Sequence, residues 1–265
     1  MEYQTRNSIL KAHKLSIGYP TKPKKMIVAD HINFEIKSGE LVAVIGVNGA
    51  GKSTLLRSLS GVQPLLAGEV FIRNQNITEI SFEELATRIS LVLTEQPLSK
   101  NLSVFELVAL GRQPYTNWVG RLAKIDLAAI NKAIKLVAIE ELKFKKCHEL
   151  SDGQLQKVLI ARALAQDTPL IILDEPTTHL DLFHKAYIFK LLKQLSVETN
   201  KAIIFASHEI NLALQLCDRL ILIKENKVID GTPKELIDTG QLQNIFPENL
   251  IYFDETSSSF KIKND

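Results

Sequence analysis

The chain has 265 residues, 45% hydrophobic and 23% charged, with a formal net charge of +2. That balance is too even to mark a nucleic-acid binder, and the length supports one large domain with a sizeable core, or one domain carrying an insertion. The two cysteines, Cys147 and Cys217, stand far apart with no CxxC pair, the start "MEYQTRNSIL" does not read as a secretory signal, and no apolar run reaches the ~20 residues that span a bilayer; a disulfide framework is therefore not expected.

From the N-terminus, Ile9 to Ile36 reads as extended, with antiparallel pairing expected. Inside it, the Lys-rich "TKPKK" (Thr21 to Lys25) reads as a solvated turn, with contact to lipid headgroups as the alternative. "LVAVIG" (Leu41 to Gly46) is a near-continuous apolar run, followed by the helical "TLLRSLSG". Glu69 to Ile77 reads as a further antiparallel piece, and "ISLVLT" (Ile89 to Thr94) as a second apolar strand. Ser103 to Ala165 reads as a helical insertion with the loop "GRQPYTNWVGRLAKID" inside it. The runs "LIILDE" (Leu170 to Glu175), "AIIFAS" (Ala202 to Ser207) and "LILI" (Leu220 to Ile223) follow. Between the first two of these, Leu182, Ala186, Phe189, Leu192 and Leu195 have helical spacing. Strands apolar on both faces belong to a parallel sheet covered by helices, so the expected class is α/β. The tail "FPENLIYFDETSSSFKIKND" alternates apolar residues around a Ser-rich turn. It reads either as a hairpin packed on the core or as a partly ordered tail.

"GVNGAGKST" matches GxxxxGK[ST] at Gly46, Gly51, Lys52 and Ser53, between an apolar strand and a helix. Glycines let successive backbone N–H groups turn inward around a phosphate chain, and the helix dipole adds positive potential. Lys52 is expected to reach the β- and γ-phosphates and Ser53 to ligate Mg²⁺. The strand "LIILDEP" supplies acids: Asp174 to hold Mg²⁺ through its water shell, and Glu175 to polarise the attacking water.

A second helix opens at "LSDGQ" (Leu150 to Gln154). Ser151 and Gln154 have capping-box spacing, and Asp152 falls in the first turn, where the dipole favours a carboxylate. With "THLD" (Thr178 to Asp181) and Ser207-His208 at a strand end, the ordered set resembles the ATP-binding subunits of ABC transporters over roughly Ile9 to Phe246. The resemblance implies a P-loop NTPase (RecA-like) core with an antiparallel β subdomain and an inserted helical subdomain. It implies one domain: residues 1–95 and 162–246 as nucleotide-binding core, 96–161 as helical subdomain with the signature turn, and 247–265 as hairpin or tail. ATP and Mg²⁺ are the implied cofactors.

The family's roles fall on these residues. Gly46, Asn48, Gly49, Ala50, Gly51, Lys52, Ser53 and Thr54 would cradle the nucleotide. Tyr19 would stack on adenine; a packed turn residue is the alternative. Gln96 would sense Mg²⁺ and the attacking water, and His208 would contact the γ-phosphate. The resemblance further implies a head-to-tail dimer. There Ser151, Gly153 and Gln154 of one copy face the phosphate loop of the other, and Asp181 helps join the two. The family more often has glycine where Asp152 stands. His179 and His184 lack a partner cluster and carry no expected role.

"VALGRQPYTNW" (Val108 to Trp118) resembles a stretch found in importers of iron–siderophores, haem and vitamin B12, with Gln113 where the family more often has an aromatic. There the segment faces the permease, so the Gly111–Trp118 region is expected to contact integral-membrane permease subunits through Tyr115 and Trp118; packing inside the insertion is the alternative. A binding protein would deliver cargo from outside, and the subunit would sit peripherally on the cytoplasmic face of the cell membrane. A soluble ABC ATPase of the iron–sulfur assembly type is the competing function, and a small-molecule P-loop kinase is disfavoured by "LSDGQ" with Ser207-His208.

Overall fold

The computed structural model describes residues 7–21, 25–93, 101–116, 118, 120–243, 245–246 and 249–263. Two long strands come first, β1 (Ser8–Tyr19) and β2 (Met26–Lys37), paired antiparallel. Most of "TKPKK" between them lies outside the described residues. Next, β3 (Leu41–Ile45) is wholly buried, and α1 (Lys52–Leu59) follows it across the phosphate loop. β4 (Ala67–Ile72) and the short β5 (Gln75–Asn76) join the first two strands in a four-stranded antiparallel sheet of order β2-β1-β4-β5.

After α2 (Phe82–Leu85) comes β6 (Ile89–Val92), then the helices α3 (Val104–Ala109), α4 (Lys124–Leu136) and α5 (Asp152–Ala165). The chain then alternates: β7 (Leu170–Leu173), α6 (Leu182–Thr199), β8 (Ala202–Ala206), α7 (Ile210–Leu216), β9 (Arg219–Lys224). β10 (Lys227–Gly231) turns back on β9, and α8 (Pro233–Asp238) follows. The main sheet has order β10-β9-β3-β8-β7-β6 and is parallel except at β10.

Period-two alternation divides the core. Leu41, Ala43 and Ile45 of β3 face one cluster with Phe189, Leu192 and Leu195 of α6. Val42 and Val44 face the other, with α1 and the antiparallel sheet. The central strands β3, β7 and β8 are covered on both sides, which is why their sequences are apolar without alternation. The tail forms a hairpin, β11 (Ile251–Asp254) with β12 (Ser259–Ile262). It docks on α7, where Asn211 Oδ1 accepts from the Phe260 amide at 2.8 Å, and Phe246, Phe253 and Phe260 pack edge-on.

One expectation needs correction. The "GRQPYTNWVGRLAKID" stretch is not all loop: Leu110–Tyr115 is a 3₁₀ turn and α4 begins at Lys124. The cause is Arg112, buried against Asp126 at 2.9 Å and donating to the Ala165 carbonyl at 2.8 Å. In α6 the buried face includes Ile188, Phe189, Leu191, Leu192 and Leu195. Leu182 lies in this helix, as its spacing predicts, and is 71% exposed because the first turn projects beyond the core.

Candidate active site

The phosphate loop turns on glycines that nothing larger could replace. A Cβ on Gly51 (φ 106°) would stand 2.2 Å from Val28 Cγ1, and one on Gly46 (φ 154°) 2.6 Å from the Ile223 carbonyl oxygen. α1 starts at Gly51 with no side-chain cap and no acidic residue in its first turn. By contrast α3, α5, α6 and α8 are capped by Ser103, Ser151, Asp181 and Thr232. The first amides of a helix have no intrahelical acceptor, so an uncapped, acid-free start is a site for an anion.

Lys52, at the head of α1, is buried. Its Nζ donates to the carbonyls of Gly46 (3.0 Å) and Val47 (3.2 Å) and lies 3.3 Å from His208 Nδ1. Burial pushes the ammonium pKa down, and the charges of Glu175 and Asp174 oppose that shift. Ser53 Oγ donates to Asp174 Oδ1 at 2.9 Å. Asp174 directly follows β7 in a buried position, and its carboxyl is pushed up chiefly by burial, with the Ser53 hydroxyl opposing. These are two hard oxygen donors, and among the described residues no group of three or more His, Cys, Asp or Glu could hold a metal. Such a pair fits Mg²⁺, which keeps most of its ligands as water and phosphate oxygens, rather than a metal that needs a full protein cage.

Glu175 follows with φ 50°, a left-handed conformation that a non-glycine residue adopts at some cost. Its Oε1 is 2.5 Å from His208 Nε2, and its Oε2 accepts from the Thr178 hydroxyl at 3.2 Å. As an ammonium Lys52 has donors only, so His208 Nδ1 accepts and the ring proton sits on Nε2, facing Glu175. Lys52, His208, Glu175 and Thr178 thus form one hydrogen-bonded chain. Tyr19, half-exposed at the end of β1, reaches Thr54 Oγ1 at 3.2 Å. Gln96 lies outside the described residues.

The remaining sequence-predicted residues gather at the starts of α5 and α6. Ser151 accepts from the Gln154 amide at 3.3 Å, and Gln154 Oε1 accepts from the Ser151 amide at 3.1 Å, a reciprocal capping box. Asp181 caps α6 by accepting from the His184 amide at 2.8 Å. That amide first, and the His184 ring next, hold its carboxyl below the usual range. Gly153 packs on His184, to which the sequence alone gives no role; its one local signal is its position three after the capping Asp181. Arg112 and Asp126 were also missed as a pair. Trp118 is 98% exposed, whereas the Tyr115 ring lies under the Arg112 guanidinium at 4.0 Å. Burial raises the Cys147 and Cys217 thiols, so neither is a ready nucleophile. No described helix is long and apolar enough to cross a membrane.

A family profile described as ABC transporter matches residues 29–178. The petrobactin import ATP-binding protein of Bacillus subtilis is 37% identical over 83% of this chain and 87% of its own. The ferric enterobactin transport ATP-binding protein of Escherichia coli is 34% identical over 93% of this chain and 90% of its own. Among solved structures, CbiO1 of Clostridium perfringens, part of the CbiONQ transporter complex, superposes with a TM-score of 0.76 at 32% identity over 89% of this chain and 93% of its own. A dimeric bacterial ABC transporter cassette does so with a TM-score of 0.72 at 29% identity, over 85% and 99%. Profile and relatives span the phosphate loop, the Asp174-Glu175 pair and the LSDGQ turn in one chain, and the protein belongs to the ATP-hydrolysing, ATP-binding subunits of ABC transporters.

Proposed function

We propose that this chain is the energy-coupling ATPase of an importer for ferric siderophore-type chelates, the branch that also includes haem and cobalamin carriers. It works as a head-to-tail dimer beneath two permease subunits on the cytoplasmic face of the cell membrane, with an external binding protein delivering cargo. Residues 1–95 and 162–246 make up the nucleotide-binding core, 96–161 the helical subdomain, and 247–265 a tail that carries the β11–β12 hairpin. The observation that carries the catalytic reading is the Lys52–His208–Glu175 chain beside the Ser53–Asp174 pair.

Lys52 and the uncapped amides of α1 bind and orient the phosphates. Ser53, Gln96 and Asp174 would hold Mg²⁺, which would supply charge neutralisation at the phosphates. Glu175 takes the attacking water as hydrogen-bond donor, and His208 Nε2, now on Glu175, is the proton-bearing group that meets the γ-phosphate. Tyr19 offers its ring to adenine. In the partner copy, Ser151 and the amides near Gly153 and Gln154 complete the same site. Exposed Trp118, with Tyr115, supports a docking surface for the permease at residues 111–118.

The test is Glu175→Gln. ATP binding, read by fluorescent-nucleotide titration, is expected to persist while hydrolysis falls by at least ~10²-fold, the scale of losing a positioned base. Hydrolysis at the parental rate would exclude Glu175 as the catalytic carboxylate. In a deletion strain, uptake of radiolabelled ferric siderophore should return with the parent gene and not with the Gln variant; uptake unaffected by the deletion would refute the import reading.

A further inference from the structure

Two features of the dimer reading meet within one chain at His184. Its Nδ1 lies 2.9 Å from each carboxylate oxygen of Asp181, while its own amide is the one that Asp181 caps. On the other side, the ring edge rests on the LSDGQ turn: a Cβ on Gly153 would stand 2.9 Å from His184 Cδ2 and 3.6 Å from Nε2. The imidazole therefore bridges the Asp181 loop and the start of α5. With Asp181 accepting at Nδ1, the ring hydrogen sits there, and Nε2 has no partner among the described residues.

The setting is not that of a stabilising core contact. Both side chains are substantially exposed, and an exposed His–Asp pair adds little to the stability of an isolated chain. Beside them Leu182 and Phe183 stand 71% and 74% exposed on the same turn, with Phe183 edge-on to the His184 ring. Two apolar side chains left in solvent next to a geometrically fixed pair mark a face prepared for a protein surface.

We infer that His184 is a positioning residue that locks Asp181 to the Ser151–Gln154 turn, so that one chain presents both to a second copy as a single rigid surface. This rests on the head-to-tail reading above. Without the ring, Asp181 and the turn must be ordered separately at each association, which weakens dimerisation and slows turnover without touching the phosphate loop of the isolated chain.

The experiment places His184→Ala and His184→Asn in the Glu175→Gln background and measures ATP-dependent dimerisation by analytical ultracentrifugation. The same two changes in the parent give kcat and KM. His184→Ala should weaken dimerisation by about tenfold and lower kcat, with nucleotide affinity of the monomer and melting temperature unchanged. His184→Asn, whose amide nitrogen falls near the place of Nδ1, should recover most of the loss. Dimerisation of the Ala variant equal to the parent, or equal impairment of Ala and Asn, would overturn the role of the Asp181 tie while leaving the dimer intact. A Glu175→Gln parent that stays monomeric at saturating ATP would overturn the dimer reading, and this inference with it.

Discussion

Arg112→Met removes a buried guanidinium while nearly keeping its volume. Arg112 and Asp126 are 6% and 3% exposed, and Nε donates to Oδ1 at 2.9 Å. The change leaves Asp126 buried with the Ala123 amide (2.8 Å) as its remaining donor of these two, and takes the Arg112 donor from the Ala165 carbonyl. Removing one partner of a buried pair costs about 3–5 kcal/mol, whereas replacing both with apolar groups is close to neutral. At about 2–4 °C per kcal/mol for a chain of this size, the melting temperature should fall by about 6–20 °C. Arg112→Met/Asp126→Leu should recover most of that loss. The sign with pH follows from Asp126, held below the usual carboxylate range first by the Ala123 amide and then by Arg112. A depressed carboxyl contributes stability that is present above its unfolded value and lost as pH falls through its folded one. The gap between parent and Arg112→Met should therefore narrow on acidification below about pH 4. Thermal unfolding followed by circular dichroism reads all three variants. A single variant melting within about 2 °C of the parent, or a double variant as unstable as the single, would refute the argument.

Asp174 behaves with the opposite sign. Burial raises its carboxyl, so its favourable contribution is complete below the unfolded value of about 3.9 and is lost as pH rises through the folded one. Nucleotide-free Asp174→Asn should consequently melt above the parent at neutral pH and converge with it in acid; a pH-independent difference would contradict the burial account. Trp118→Ala should leave ATP binding and melting temperature unchanged, since the indole is 98% exposed, yet weaken pull-down of the permease; undiminished capture would remove Trp118 from the interface.

Much of the fold could be read from the chain because its signals are local. β3, β7 and β8 are apolar at every position since both faces are covered, and that pattern survives in any linear reading. The phosphate loop is legible for the same reason: its glycines, Lys52 and Ser53 are sequence neighbours. Convergence was legible only through the family resemblance, not from any local pattern. Lys52 and His208 are 156 positions apart and Glu175 and His208 33 apart; only the parallel crossovers bring the ends of β3, β7 and β8 to one edge. The Gly111–Tyr115 turn was hidden differently. Glycine, proline and arginine are usual marks of an exposed loop, yet Gly111 is buried, where a Cβ would meet the Arg162 carbonyl at 2.3 Å.

The LSDGQ turn joins these two kinds of information. Its capping box is local, and the structure closes it with both reciprocal bonds, so Ser151 and Gln154 have a structural role without any nucleotide. The glycine needs another explanation. Gly153 is helical and carries no positive φ, so backbone freedom does not select it. Space does, because a Cβ there would stand 2.9 Å from His184 Cδ2. A substitution at Gly153 therefore perturbs α6 and Asp181 as well as the turn, and its effect on hydrolysis cannot by itself be assigned to a blocked phosphate. Placing Gly153→Ala on the His184→Ala background separates the two. Relief of the defect there would trace the glycine to the ring, and an undiminished defect would trace it to the facing surface of the other protomer.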